Sequence, residues 1–133
     1  MTIKRKPVAF GDLRGWLAAL EAAGELRRID AEVDWNIELG TIARLAQGAG
    51  TGPALMFNNI KDYNTPTSRC RRIFCNALNN YRRMALMLGL PADTHARDLA
   101  QLGRTIMTGS LPPRIVKDGP VKENVVTGKD VDL

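Results

Sequence analysis

Apolar residues along the chain fall into two periods, one near 3.6 residues and one of two, and the switches between them mark out the elements. Leu13, Trp16, Leu17 and Leu20 lie three and four apart, which predicts a helix over 12–23 with one buried stripe. Asp12 is placed to cap its start, and Gly24 supplies the left-handed position after its end, with Leu26 folding back on the last turn. From Arg28 to Val33 polar and apolar residues alternate, so a short strand should turn Ile29, Ala31 and Val33 inward. A second helix begins near Asn36 and carries Ile37, Leu39, Ile42, Ala43, Leu45 and Ala46 as a broad stripe, with Glu38 at its positive end.

Glycines then interrupt the pattern over 47–53. The strand that follows, Ala54 to Ile60, opens on a continuous apolar run, as expected of a central strand covered on both faces. Turn residues over 62–68 lead to a third strand, Arg72 to Leu78, able to pair with the second as a hairpin. Asn79 or Asn80 caps a helix reaching Leu88, with Tyr81, Met84, Ala85 and Leu88 inward and Arg82 and Arg83 outward. Leu90-Pro91 stops it. Thr94 caps a last helix with Leu99, Leu102 and Ile106 at helical spacing, closed by Gly109. The predicted fold is α/β: a small mixed sheet of about three strands packed with about four helices, and an extended C-terminal tail. It divides into a flexible basic N-terminus over 1–11, an α/β domain over 12–110, and an extended linker over 111–133.

Composition narrows the function classes. A chain of 133 residues with 44% apolar and 25% charged content fits one soluble core. No apolar run approaches the roughly 18 residues of a membrane span, and no signal-peptide core follows the basic start, so a cytoplasmic protein is expected. The net charge of +5 raises nucleic acid as a partner, but the arginines are scattered and aromatics make up only 5%, so no stacking series accompanies them and no nucleic-acid partner is expected. Cys70 and Cys75 are five apart and would point to opposite faces, which disfavours a mutual disulfide and suits reduced thiols.

Candidate chemistry is sparse. The glycine-rich turn over 47–53 runs from a helix into a strand, the reverse of a phosphate-binding loop, and reads as a connection. One histidine and two cysteines without a CxxC pair make no metal set. His95 reads as a surface residue of a first helical turn, and Cys75 as a small hydrophobe. Glu21 and Glu25 belong to one helix end, while Asp30, Glu32 and Asp34 keep one side of a strand wet. Lys122-Glu123-Asn124, after Gly119-Pro120, is the best local polar cluster and reads as a turn held by side-chain contacts. The residues alone name no catalytic, cofactor-binding or metal-binding position.

Several strings nevertheless resemble the N-terminal region of the UbiD decarboxylases, from Asp12 to Leu133. They are Asp12-Leu13-Arg14-Gly15-Trp16-Leu17 with Gly24-Glu25-Leu26, Val33 to Glu38, Gly52 to Lys61, Arg82 to Pro91, and above all Pro112 to Asn124. Trp35 stands where the family often has proline, and Val121 replaces a common cysteine in the Gly-Pro-x-Lys-Glu-Asn run. The resemblance implies the reversible, non-oxidative decarboxylation of an aromatic or α,β-unsaturated acid by a parent enzyme. That enzyme would use prenylated FMN, Mn2+ and K+, with a Glu-Arg-Glu set handling the proton. None of those family positions matches a residue here, so no cofactor is expected on this chain itself and it should be inactive alone. The implied partners are a flavin-binding domain on the same polypeptide, further copies of the parent, and a small aromatic acid. The rival reading is a free-standing, non-catalytic interaction or regulatory module.

Overall fold

The computed structural model describes residues 8–109 and 111–131, so Lys4-Arg5-Lys6 of the expected basic N-terminus and the last two residues of the linker lie outside them. Helix α1, Leu13–Ala22, starts where Asp12 Oδ1 accepts from the backbone N–H of Arg14 and Gly15, at 2.8 and 3.2 Å. Its end is a Schellman turn: Glu25 N–H donates to Leu20 O at 2.8 Å and Gly24 N–H to Glu21 O at 3.0 Å, with Gly24 at φ +70°. That turn decides where the first strand begins.

Strand β1 spans Leu26–Ile29, two residues earlier than the alternation suggested. The chain leaves the Schellman turn already facing strand β2, Ala54–Phe57, because Ala54 N–H donates to Glu25 O at 2.8 Å. Pairing is parallel, with Leu26 opposite Ala54 and Ile29 opposite Phe57. The chain then swings away, so that Ala31 is exposed rather than inward, and Val33 returns as a single parallel bridge to Ile60. Ile29 and Val33 do share one cluster, as expected. Strand β3, Ile73–Cys75, pairs antiparallel to β2 with Phe74 opposite Met56, which gives a three-stranded mixed sheet of order β1-β2-β3.

All four residues of β2 are buried, and their alternation feeds two cores. On one face Leu55 and Phe57 join Val33 and Ile60, covered by Leu39, Ile42, Ala43 and Ala46 of helix α2, Glu38–Gln47. On the other Ala54 joins Trp16 and Leu20, with Phe10, Leu26, Phe74 and Leu86 packed around them. A third cluster of Ala85, Leu90, Leu99 and Leu102 joins helix α3, Tyr81–Met87, to helix α4, Ala96–Thr108. The α/β reading with four helices and three strands stands.

Six apolar positions expected in the helical stripes are exposed among the described residues: Leu13, Ile37, Leu45, Tyr81, Met84 and Ile106. Ile37 is 78% exposed at φ +68°, the centre of a tight γ-turn in which Glu38 N–H donates to Asn36 O at 2.8 Å. Helix α2 begins at Glu38 directly after this turn, with no side-chain cap at Ile37, and the Glu38 carboxylate ties the first helical residue to the preceding loop by accepting from the Asp34 N–H at 2.8 Å. Helix α4 is capped by His95, whose Nδ1 accepts from Arg97 N–H at 3.2 Å, and not by Thr94, whose hydroxyl turns back to Pro91 O. From Leu111 the described tail is exposed and extended apart from two short 3-10 turns, Pro120–Lys122 and Gly128–Asp130.

Candidate functional site: a buried arginine knot

Polar chemistry inside the fold concentrates on Arg83. Its side chain is 0% exposed, and it is the one buried charged residue among those described. Sequence periodicity turns Arg83 outward and Tyr81 and Met84 inward; the helix is rotated the other way, with Arg83 and Ala85 buried and Tyr81 and Met84 exposed. Desolvating a guanidinium costs several kcal/mol unless partners surround it, and both terminal nitrogens find partners while the buried Nε has none among the described residues. One terminal nitrogen donates to Glu25 Oε2 at 2.8 Å and to Gly52 O at 2.9 Å, and the other donates to Asn79 Oδ1.

Glu25 is the hub of the other side. Its carboxylate, 12% exposed, also pairs through Oε1 with Arg82 Nε at 2.6 Å and accepts from Asn80 Nδ2 at 3.4 Å. Asn80 caps α3 by accepting from Arg83 N–H at 2.8 Å. Glu25 arrives by the Schellman turn of α1, Gly52 by the turn into β2, and Asn79 and Arg83 by α3. One guanidinium therefore fastens three separate stretches of chain. Within the sequence only the Asn79 and Arg83 spacing of four hints at it, since polar groups one turn apart on a helix can meet.

The sequence's other candidates are dispersed. Cys70 is exposed and Cys75 half-buried, both free, and burial pushes the Cys75 thiol up, which suits a packed hydrophobe. Glu21 pairs with Arg28 at 2.9 Å, Asp34 with Lys61 at 2.7 Å, and Asp30 accepts from Asn58 at 2.7 Å. Glu32 is exposed. Lys122 N–H closes the 3-10 turn on Gly119 O at 2.9 Å while its ammonium donates to Lys117 O at 2.9 Å, the held turn expected there. Among the described residues no three His, Cys, Asp or Glu side chains are gathered as metal ligands, and no helix is long and apolar enough to cross a membrane.

The Asp34 pair sets an acid limb of stability. The Lys61 ammonium first, and the Asn36 N–H second, hold the Asp34 carboxyl below its ordinary 3.8. Protons therefore bind the unfolded chain more readily, and the contribution is complete at neutral pH and lost as pH falls through the folded value. The melting-temperature gap between the wild-type chain and Asp34→Asn should shrink between about pH 5 and about pH 2. A gap that stays constant over that range would assign the effect to something other than titration.

Open clefts flank the sheet. A cavity of about 730 Å³ runs between α1 and the sheet over Leu17, Met56 and Phe74, rimmed by Arg28 and Arg72. Another of about 370 Å³ lies beneath Trp35 and Tyr63, whose rings meet edge to face with centroids 6.3 Å apart. The carboxylates lining the first cleft, Asp12 and Glu21, are each already engaged by an arginine, Arg14 and Arg28.

The family described as the 3-octaprenyl-4-hydroxybenzoate carboxy-lyase N-terminal domain matches residues 17–103. The chain belongs to this UbiD family. It is 34% identical over 128 residues to a phenolic acid decarboxylase of Bacillus subtilis, covering 95% of this chain and 26% of that protein. It is likewise 34% identical over 127 residues to a pyrrole-2-carboxylic acid decarboxylase of Pseudomonas aeruginosa, covering 92% and 25%. The closed form of the vanillic acid decarboxylase of Sedimentibacter hydroxybenzoicus superposes with a TM-score of 0.70 at 33% identity, over 96% of this chain and 26% of that one. An open form of the same enzyme gives 0.67 at 32% identity, over 90% and 25%. The UbiD chain spans about a quarter of the length of these relatives, and the matched region contains every member of the arginine knot.

Proposed function

We propose that the protein acts as the N-terminal domain of a UbiD-type carboxy-lyase that removes CO2, reversibly and without net oxidation, from an aromatic or α,β-unsaturated carboxylic acid. The observation that carries this is 34% identity over 95% of the chain to a phenolic acid decarboxylase of which it spans 26%. The α/β unit over 12–110 would support the enzyme, and 111–133 would lead toward a flavin-binding domain in a cytoplasmic, self-associating parent.

Prenylated FMN, Mn2+ and K+ are the proposed cofactors of that parent, where the flavin would act as an electron sink as CO2 leaves. The described residues do not fit these groups. No metal-ligand cluster forms, and the glycine-rich turn enters a strand and directs the Gly52 carbonyl at Arg83, so it presents no cradle for a phosphate. No chemical step is assigned to side chains of this chain, and its part in the reaction is structural.

The test uses the full-length product of the gene, loaded with prenylated FMN and Mn2+ and offered phenolic, pyrrole-2-carboxylic and cinnamate-like acids. CO2 release from at least one acid, with none from the 133 residues alone, is expected. A loaded full-length product that releases none from any of them overturns the reading.

A further inference from the structure

Helix α3 carries its polarity inside out. Leu78, Tyr81, Met84 and Met87 follow one another at spacings of three and are 41%, 61%, 37% and 37% exposed, while Arg83 and Ala85 beside them are 0% exposed. The first three line one shallow groove of about 420 Å³ together with Ala49 and Gly50 of the glycine-rich turn, so the ridge and the turn form a continuous surface. Rotating the helix to bury the ridge would carry Arg83 away from Glu25, Gly52 and Asn79 and leave buried polar groups unpaired. The knot therefore holds an aromatic and two methionines out of the core. Those residue types are enriched where protein surfaces meet, the thioether because it adapts to irregular contacts.

We propose that this ridge is the surface on which the rest of the UbiD polypeptide docks, an inference that rests on the decarboxylase reading above. One observation selects that occupant. Relatives that match 92% or more of this chain are about four times as long, so most of their structure must meet this domain somewhere. The described elements leave the ridge exposed. An apolar surface held in place by Arg83 gives the following domain a seat of fixed orientation.

Hydroxyl-radical footprinting read by mass spectrometry tests this without a substitution, since methionine and tyrosine side chains oxidise readily when exposed. The 133-residue chain and the full-length product are compared at matched radical dose, each at several dilutions, and CO2 release is assayed on the same full-length sample. Tyr81, Met84 and Met87 should oxidise about tenfold more slowly in the full-length product, at every dilution, and freely in the 133-residue chain. Equal rates in the two proteins overturn the proposal. Protection that appears in the 133-residue chain as its concentration rises assigns the ridge to a second copy and overturns it too, as does a reading frame that encodes no more than these residues. Free oxidation in a product that releases CO2 removes the docking surface and leaves the decarboxylase reading intact; protection in an inactive product does the reverse.

Discussion

Replacing Arg83 with methionine should destabilise the chain by about 3–5 kcal/mol, the range for breaking a buried ion pair from one side. Methionine restores much of the volume, so the loss is electrostatic. Glu25 keeps Arg82 but loses the stronger enclosed partner, and Gly52 O and Asn79 Oδ1 lose their donors in a place with little solvent access. For a domain of this size the melting temperature should fall by on the order of 10–20 °C. Arg83→Lys should recover little, since one ammonium cannot span three acceptors that a planar fork reaches together. The replacement Glu25→Gln should cost as much or more, because it leaves a fully enclosed guanidinium without its carboxylate. Urea unfolding of the two single variants and of Glu25→Gln with Arg83→Met checks the pairing. The double variant should lose less than the sum, and strict additivity would mean that the two side chains do not act as a unit.

Why this knot escaped periodicity is a question of range. A helical stripe is legible because its members lie three and four residues apart, and α1, α2 and α4 were placed that way to within one or two residues. Arg83 turns inward for partners 58 and 31 residues distant, Glu25 and Gly52, which no local period reports. With two arginines and two asparagines at its start, α3 presented Tyr81, Met84, Ala85 and Leu88 as its only apolar stripe, and that stripe was half right: Ala85 is buried and Leu88 half-buried. The shift of β1 has a similar cause. Alternation from Arg28 to Val33 is real, but pairing is set by the Schellman turn that delivers Glu25 O to Ala54 N–H, so the ladder begins at Leu26. The central strand was the most legible element, because burial on both faces leaves an unbroken apolar run. Chemistry was legible only through resemblance, since no group of reacting side chains is gathered among the described residues for a spacing rule to find.

The second large effect falls on Gly52. An added Cβ there would stand 1.6 Å from Ala46 O and 2.6 Å from the carbonyl carbon, both backbone atoms at the end of α2 that no rotamer change can move aside. Gly52→Ala should therefore cost at least about 3 kcal/mol, the upper end for overpacking, because the turn itself has to shift. Gly40 is the contrast. It lies inside α2 with nothing within 4 Å of an added Cβ, so Gly40→Ala should raise stability by roughly 0.5–1 kcal/mol through helix propensity and a less free unfolded chain. The cost at Gly52 also reaches the knot, since a displaced turn carries its carbonyl away from the Arg83 guanidinium. Gly52→Ala combined with Arg83→Met should then lose less than the two changes separately, as both remove the same contact. Additive losses in urea would place the steric defect and the ion pair in independent parts of the fold, and α3 would then take its orientation from Glu25 and Asn79 alone.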